Sequence, residues 1–559
     1  MQLNYIYKNV YFMNSFIDYE TDVVPVYFSS RTVKFKMYSK YDELIDKSKF
    51  LLTSDRSNIN LSIIYDASIK EDGYDLEIDK RNIVIKVRNE RGIRYAFRVL
   101  NDLVKSENGK VRLPLIKIND EPSFKYRGII EGYYGIPWSY ESRKDLPIFM
   151  DEYRLNTYMY APKSDPYHRV KWAELYPEEE FKKLIEFKES LEVKHIDFYY
   201  CISPGYTKGD YIFDYTNEKA FELLFRKLDQ VISEGVNKFG LLLDDIDYVL
   251  TGDNLKKFKR PGIAHAYICN RVYDYLKDRV VDLEFVMCPT EYHQIGESLY
   301  RDDLKRLLND EIKVFWTGDN VCAEVITDEQ ARVTKEAFGR DLFIWDNFPV
   351  TDFTYGVRQY IGPIINRTVS LSNYANGYII NPMNLYEISK LSMITQSHYA
   401  WNSAKYDPNR SFEIALKSLG SEFFEASKEY IKYNLPSVLT HGFLDEERRI
   451  LENNEAILNY LEGVSKSAKK LLKLDLPIIE ELKPWLERTI EEEKIVKKIL
   501  SNTYKKAEVL EFLEDDKFSG SELFDNLIKK YNILTDEEFE ALIKKRRGGQ
   551  WYRIWEERK

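Results

Sequence analysis

Two adjacent carboxylates, Asp244 and Asp245, are the residues of this sequence best placed to do chemistry. They follow directly on the apolar run at residues 239–243. Burying two carboxyl groups at the end of such a run is costly unless they serve a purpose. The alternative is that the pair caps a helix or lies in a solvated loop, as most Asp-Asp pairs do. The position after the apolar run favours the chemical role.

Paired carboxylates suit general acid–base work, and glycoside hydrolysis needs such a pair. In ordinary glycosidases the two groups flank the sugar from different strands, about 5 Å apart or more. Adjacent residues fit that arrangement poorly, because neighbouring strand side chains point to opposite faces. A backbone turn at the strand end could instead present both to one pocket. They would then suit a substrate with its own nucleophile, such as a 2-acetamido group that closes an oxazoline on the anomeric carbon.

The middle of the chain carries eight short apolar, β-prone runs separated by helical patterns. They lie at residues 127–130, 157–160, 197–201, 238–243, 284–287, 313–316, 342–345 and 377–380. Eight strand–helix repeats are typical of a (β/α)8 barrel rather than an open sheet. Polar and turn residues follow each run, among them Gly132, Asp245 and Asn347. Active sites of this fold form at the C-terminal strand ends, so we expect a site there.

The predicted barrel, residues 123–400, is preceded by a predicted small α/β domain at residues 1–122. A β-rich run lies at residues 60–65, and residues 74–79 and 82–87 read as a hairpin. A helix is expected from about Glu90. Its apolar stripe comprises Ile93, Ala96, Val99, Leu100 and Leu103.

Residues 401–559 are predicted to form a C-terminal all-α domain. The strand pattern stops near Trp401, and heptad-like apolar spacing replaces it. The spacing is clearest at Ile457, Leu461, Val464, Ala468 and Leu471. Pro436, Pro477 and Pro484 are expected to break the region into separate helices. This domain could wall a cleft, mediate a homo-oligomer or bind a partner.

Composition narrows the classes of partner. The net charge of -10 argues against nucleic-acid binding. No stretch approaches the roughly 18 apolar residues that span a bilayer, and the first residues lack a basic signal region. The cysteines, at positions 201, 269, 288 and 322, show no CxxC spacing and read as buried thiols of a reducing compartment. A cytoplasmic location without membrane association is therefore expected.

A metal-dependent barrel hydrolase is the main enzymatic alternative. Such enzymes usually draw several histidine ligands from strand ends. This chain has 6 His, no HxH pair, and only His168 and His293 near predicted strand ends. We therefore expect neither a metal nor another cofactor.

Six motifs, in this order along the chain, resemble glycoside hydrolase family 84. They are RGIIEGYYGIPWS (127–139), LNTYMYAPKSDPYHR (155–169), LLLDDID (241–247), CPTEY (288–292), WTG (316–318) and IWDN (344–347). This is the family of the O-GlcNAc hydrolases and bacterial β-N-acetylglucosaminidases, and the resemblance covers roughly residues 60–390. It implies a retaining exo-β-N-acetylglucosaminidase that removes terminal β-linked GlcNAc through an oxazoline. The substrate would be a GlcNAc-bearing glycoprotein, glycopeptide or oligosaccharide, and the natural aglycone stays open.

The resemblance also implies roles for individual residues. Asp244 would hold the acetamido N–H, and Asp245 would be the general acid and base. The matched substrate-binding residues are Tyr292 and Asn347 at the acetamido group, Thr317 and Trp345 at its methyl end, and Gly132 (by its carbonyl), Lys163, Asp352 and Asn381 at the sugar hydroxyls. The alternatives are core aromatics for Tyr292 and Trp345 and solvated loop charges for Lys163 and Asp352.

The sequence departs from the family pattern at two positions. Ser164 stands where the family often has Asp, and Tyr133 where it often has Phe. A non-catalytic GlcNAc-binding barrel, a lectin or scaffold, is the alternative of a different class. Such a protein would be expected to lose Asp244 or Asp245 while keeping Trp345, and here both acids remain.

Overall fold

The computed structural model describes residues 26–27, 33–36, 39–46, 50–52, 59–107, 110–205, 211, 213–352, 359–440, 449–514 and 522–542. The chain forms two compact units. Unit 1 comprises residues 1–127, 151–154 and 397–406, and unit 2 comprises residues 128–150, 155–396 and 407–559. The three-part division drawn from the sequence, with boundaries near residues 122 and 400, stays a prediction.

Unit 1 contains two β-sheets. Its strands are β1 (Val26–Tyr27), β2 (Val33–Lys36), β3 (Phe50–Leu52), β4 (Ile59–Tyr65), β5 (Tyr74–Ile78), β6 (Asn82–Val87), β7 (Lys105–Glu107), β8 (Lys110–Leu113) and β9 (Ile116–Asp120). One sheet has the order β1-β8-β7, and the other has the order β3-β2-β4-β6-β5-β9. The predicted hairpin is confirmed, because β5 pairs antiparallel with β6 and places Ile78 opposite Ile83.

Helix α1 (Glu90–Leu103) begins where the sequence predicts it. The Asn89 side chain caps it by accepting a hydrogen bond from the Gly92 N–H, which satisfies one of the free donors of the first turn. The five predicted stripe residues are all buried, in one apolar core with alternate residues of β5 and β6. The apolar periodicity therefore identified the packed face of this helix.

A buried ion pair joins separate segments of unit 1. The Arg127 guanidinium donates to Asp72 at 2.8 Å and to the backbone carbonyls of Phe124 and Arg154 at 2.9 and 3.1 Å. Arg91 donates to the other Asp72 oxygen at 2.7 Å. Burial raises the pKa of Asp72, but Arg127 and Arg91 outweigh it and hold the pKa well below its usual range.

A closed barrel of eight parallel strands lies in unit 2, except that the first two residues of its first strand, Tyr126 and Arg127, are assigned to unit 1. The strands are β10 (Tyr126–Ile130), β11 (Thr157–Tyr160), β12 (Asp197–Ile202), β13 (Lys238–Leu242), β14 (Glu284–Cys288), β15 (Lys313–Trp316), β16 (Leu342–Asp346) and β17 (Ala375–Ile380). All eight predicted strands are confirmed, and no boundary differs by more than two residues. The strands are almost fully buried, as expected when both faces of a parallel sheet are covered.

Helices follow the barrel strands and return the chain to the N-terminal face of the barrel. They are α2 (Tyr140–Glu152), α3 (Glu178–Glu192), α4 (Glu218–Ile232), α5 (Gly252–Phe258), α6 (Pro261–Lys277), α7 (Leu299–Leu307), α8 (Asp328–Phe338) and α9 (Tyr386–Trp401). The loops from strand to helix carry the residues of the site described below. Within the described residues, no helix has the length and apolar character needed to span a bilayer.

The C-terminal part of unit 2 is helical, as predicted. Its helices are α10 (Pro408–Ser418), α11 (Ser421–Tyr433), α12 (Asn454–Leu471), α13 (Pro477–Leu500), α14 (Lys506–Glu514) and α15 (Glu522–Lys530). The five residues of the predicted heptad-like stripe all lie on α12 and are buried. Helix α12 packs against α11 and α13, which explains the apolar spacing.

The predicted helix break at Pro484 is wrong, because this residue lies inside α13. A proline inside a helix removes one hydrogen bond and crowds the preceding turn. Here Leu482 and Leu486, on either side, remain fully buried, so tertiary packing keeps the helix continuous. Pro477 instead occupies the first position of α13, where its missing N–H costs nothing. Pro436 follows the end of α11, as expected.

The Asp72–Arg127 pair gives a stability prediction. Asp72→Asn leaves the buried Arg127 guanidinium without its counter-charge and should lower the free energy of unfolding by about 3–5 kcal/mol at pH 7. Because the pKa of Asp72 is lowered in the folded protein, this contribution exists above the unfolded pKa of about 4 and declines as the pH falls below it. Urea unfolding between pH 3 and 8 measures both effects.

The control is Glu77→Gln, which removes an exposed ion pair with Lys117. An exposed pair contributes less than about 1 kcal/mol. Equal losses for the buried and exposed carboxylates would contradict the role given to Asp72.

Candidate active site

A cavity of about 520 Å³ opens at the C-terminal ends of the barrel strands. All ten residues predicted from the sequence line it, and they come from seven of the eight strand ends. The lining residues are Gly132, Tyr134, Lys163, Asp244, Asp245, Cys288, Tyr292, Thr317, Asn320, Val321, Cys322, Trp345, Asn347, Val350, Asp352 and Asn381. The strand-end pattern thus brings together side chains that are up to 249 positions apart, from Gly132 to Asn381.

The two adjacent carboxylates reach the same ammonium group. The Lys163 Nζ donates to Asp244 Oδ2 at 2.7 Å and lies 3.6 Å from Asp245 Oδ2. Strand β13 ends at Leu242, so the backbone has left the pleated geometry that would direct the two side chains apart. Both side chains therefore face one cavity, although Asp245 is more exposed (32%) than Asp244 (9%).

Asp244 is held as a carboxylate by its neighbours. Burial raises its pKa, but the charge and hydrogen bond of Lys163, with the charge of Arg169, outweigh burial and lower the pKa. Burial also acts on Lys163, and the two aspartates outweigh it and raise the pKa of this ammonium. The Oδ1 atom of Asp244 is buried and has no hydrogen-bond partner among the residues that the structure describes. An unpaired buried carboxylate oxygen is costly, so this atom is available to a ligand N–H or O–H.

Tyr134 and Arg169 contact Asp245, and neither was among the residues singled out from the sequence. The Tyr134 hydroxyl makes a short hydrogen bond to Asp245 Oδ2. Arg169 donates to the Tyr134 hydroxyl at 2.9 Å and to Asp245 Oδ2 at 3.3 Å. Both residues lie within the motifs that resemble the family and follow barrel strands. Their strand-end position could therefore have identified them from the sequence.

A chain of hydrogen bonds joins the loops after β15, β16 and β17. Asn347 Oδ1 accepts from Trp345 Nε1 at 2.9 Å and from Asn381 Nδ2 at 2.8 Å. Asn347 Nδ2 in turn donates to the carbonyl of Val321 at 2.7 Å. The Oδ1 atom of Asn381 is buried, finds no partner within the described part of the chain, and can accept a hydrogen bond from a ligand hydroxyl.

Gly132 is required by the close approach of an indole ring. A Cβ atom added at position 132 would lie 2.3 Å from Cζ2 of Trp345, far inside van der Waals contact. Only glycine therefore lets the backbone of the first strand-end loop meet the Trp345 ring. Trp345 also lies against Lys163, whose Nζ is 5.9 Å from the ring centroid.

The remaining predicted residues complete the wall. The Thr317 N–H donates to the Tyr292 carbonyl at 2.9 Å, which joins the loops after β14 and β15. Burial, with the charges of Asp244 and Asp245, raises the pKa of Tyr292, so its hydroxyl keeps its proton. Asp352 accepts the Tyr134 N–H at 2.8 Å.

The cysteine prediction needs one correction. Cys201, Cys269 and Cys288 are buried, but Cys322 is only partly buried, because it belongs to the loop after β15 that lines the cavity. All four thiols are free. Among the described residues, no three His, Cys, Asp or Glu side chains are grouped as ligands of one metal ion.

The cavity thus combines buried acceptors, protonated donors and an aromatic wall. A family model described as beta-N-acetylglucosaminidase matches residues 127–432, more than half of the chain. The chain belongs to this family. A second model, domain 2 of glycosyl hydrolase family 20, matches residues 43–121.

The relatives agree with this assignment. The proteins named protein O-GlcNAcase from Rattus norvegicus and from Mus musculus are each 34% identical to this chain over 274 residues. These matches cover 48% of this chain and 29% of each relative, so less than a third of the mammalian proteins is represented.

Solved structures extend the similarity to most of the chain. A variant of the O-GlcNAc hydrolase of Thermobaculum terrenum is 27% identical, with a TM-score of 0.67, over 73% of this chain and 94% of that one. CpGH84B is 25% identical, with a TM-score of 0.72, over 94% and 98% of the two chains. The resemblance to glycoside hydrolase family 84 seen in the motifs is confirmed.

The Lys163–Asp244 pair gives a pH-dependent prediction. Lys163→Met removes the group that holds Asp244 as a carboxylate, so burial should raise the pKa of Asp244 in the variant. At pH 7 the variant should be less stable by about 3–5 kcal/mol. A raised folded pKa means that folding takes up a proton, so the deficit should shrink as the pH falls.

Urea unfolding of the wild type and the variant at several values between pH 4 and 8 measures this deficit. Lys182→Met, which removes an exposed lysine of α3, is the matched control and should change little. A deficit that stays constant with pH would show that Lys163 does not act on Asp244.

Proposed function

We propose that this protein is a retaining exo-β-N-acetylglucosaminidase that removes terminal β-linked GlcNAc by substrate-assisted catalysis. One observation carries the proposal. Asp244 and Asp245 share one cavity and the ammonium of Lys163, and no described residue hydrogen-bonds to the buried Oδ1 atom of Asp244. Two neighbouring carboxylates cannot flank a sugar as the two groups of an ordinary glycosidase do. They can serve a sugar whose own acetamide is the nucleophile.

In the proposed first step, Asp244 Oδ1 accepts the acetamide N–H and increases the electron density on the acetamide oxygen. That oxygen bonds to the anomeric carbon as the bond to the aglycone breaks. Asp245, in its protonated form, gives its proton to the departing oxygen. The products are the free aglycone and a protonated oxazoline (an oxazolinium ion), whose N–H remains hydrogen-bonded to the Asp244 carboxylate.

In the second step, the Asp245 carboxylate takes a proton from a water molecule that attacks the anomeric carbon. The carbon–oxygen bond of the oxazoline breaks, its electrons return to the acetamide, and GlcNAc is released. Each step inverts the anomeric centre, so the net result is retention. Asp245 ends protonated and ready for the next cycle.

The cavity wall supports these roles. The Tyr292 hydroxyl, which keeps its proton, is a donor for the acetamide or oxazoline, and Thr317 and Trp345 are proposed to enclose the methyl end. The proposed contacts to the sugar hydroxyls come from Lys163 and from the unpartnered Asn381 Oδ1. The carbonyl of Gly132 and the Asp352 carboxylate complete this set.

The proposed substrate is GlcNAc carried by a protein or peptide, because the relatives are named protein O-GlcNAcase and O-GlcNAc hydrolase. A GlcNAc-ended oligosaccharide is the competing substrate, and comparing the rates of GlcNAc release from a panel of glycopeptides and chito-oligosaccharides separates the two.

The proposed location is the cytoplasm, where four free thiols persist. The C-terminal helices α10–α15 are the proposed surface for self-association.

Substrate assistance predicts a strict need for the acetamido group. A nitrophenyl β-N-acetylglucosaminide should release nitrophenol, whereas the matched β-glucoside should react at least about a thousandfold more slowly, because it lacks the internal nucleophile. Absorbance of nitrophenolate measures both rates. Equal rates would exclude substrate assistance, and binding of the first compound without turnover would indicate a lectin.

The two aspartates should respond differently to substitution. Asp245→Asn should lower kcat/KM by roughly 10²–10⁴-fold for poor leaving groups and much less for activated phenols, which need little protonation. Asp244→Asn should lower it for both kinds of leaving group, because the acetamide is then no longer polarised. Initial rates with a graded series of aryl glycosides test this difference. The same leaving-group dependence in both variants would contradict the separate roles.

A further inference from the structure

Three donors converge on a single oxygen atom of Asp245. The Tyr134 hydroxyl, Arg169 Nη2 and Lys163 Nζ all approach Oδ2, the last two at 3.3 and 3.6 Å. Among the described residues, no hydrogen bond reaches the other oxygen, Oδ1. Lys163 donates its hydrogen bond to Asp244 at 2.7 Å and makes only an ion pair with Asp245 at 3.6 Å. It therefore does not fix the orientation of the Asp245 carboxylate by itself. That orientation depends on Tyr134 and Arg169.

Arg169 determines which way the Tyr134 hydroxyl points. A guanidinium has five N–H donors and accepts nothing, so the Tyr134 oxygen must accept at this contact. Its own hydrogen is thereby directed at Asp245. One planar guanidinium thus engages the phenol through Nη1 and the carboxylate through Nη2. A lysine has a single nitrogen and could not span both.

Arg169 is a component of the scaffold rather than of the cavity surface. Its side chain is 5% exposed and stands behind Tyr134, with its Cζ atom 5.4 Å from the tyrosine ring centroid. Tyr134 follows β10, Arg169 follows β11 and Asp245 follows β13. The arginine therefore ties together three loops that approach the site from different strands.

We propose that Arg169 is a positioning residue that acts through Tyr134 to hold Asp245 by Oδ2, so that Oδ1 is the oxygen that exchanges the proton with the aglycone and with water. The inference rests on the proposed function, because it assigns the geometry of the general acid in that reaction. Tyr134 hydrogen-bonds to Asp245, whereas Arg169 also acts on Asp244 through its charge, so Tyr134→Phe is the variant that isolates the proton transfer.

The test compares Tyr134→Phe, Arg169→Met and the double variant with the wild type. Each single variant should lower kcat/KM roughly tenfold or more for glycosides of weakly acidic phenols. In Tyr134→Phe the rate with the dinitrophenyl glycoside, whose leaving group departs without a proton, should change little. A plot of log kcat/KM against the leaving-group pKa should therefore become steeper. The double variant should be no worse than the poorer single variant, because the two residues act as one unit.

Tyr140→Phe and Arg332→Met are matched controls that remove an exposed phenol and an exposed guanidinium elsewhere in unit 2. Both should keep the wild-type slope. Tyr134→Phe removes one oxygen atom only, so it tests the proposal even where Arg169→Met fails to fold. A parallel loss across the series in Tyr134→Phe, or losses that multiply in the double variant, would overturn it. A wild type that cleaves no glycoside would instead reject the proposed function.

Discussion

The interaction on which the site depends is the placement of one buried ammonium between two consecutive carboxylates. Two adjacent carboxylates in a poorly solvated cavity repel each other when both are charged, and burial raises the pKa of Asp244. Lys163 offsets this cost at Asp244, and Arg169 lies at 3.3 Å from Asp245 Oδ2. The two aspartates nevertheless differ, because Asp244 is nearly enclosed while Asp245 is open to the cavity. The barrel supplies this difference by ending β13 just before the pair.

Much of the fold could be predicted from the sequence because it is encoded in local patterns. The eight barrel strands, the hairpin before α1 and the buried stripe of α12 each follow from the spacing of apolar residues. Pro484 shows the limit of that reasoning. A residue preference describes the chain in isolation, and the buried Leu482 and Leu486 override it through contacts with other helices.

The sequence predicts which residues line the candidate site better than it predicts the hydrogen bonds between them. The strand-end positions and motifs located ten residues that share one cavity. They could not show that Asn347 joins Trp345 to Asn381, or that Arg169 reaches Asp245 through Tyr134, because such bonds depend on side-chain directions across separate loops. Cys322 was mispredicted because the lack of CxxC spacing argues against a metal or disulfide framework but does not reveal whether a thiol lines a cavity.

The hydrogen bonds that run from Trp345 through Asn347 to Asn381 and Val321 have a consequence for recognition. They fix the rotamers of the wall opposite the two acids before any ligand arrives. Side chains that are already immobilised lose little conformational entropy on association. Most of the contact energy on this side can therefore discriminate among ligand shapes, and in the proposed reaction a sugar ring flattened towards the reacting geometry would gain more from this rigid wall than a relaxed chair would.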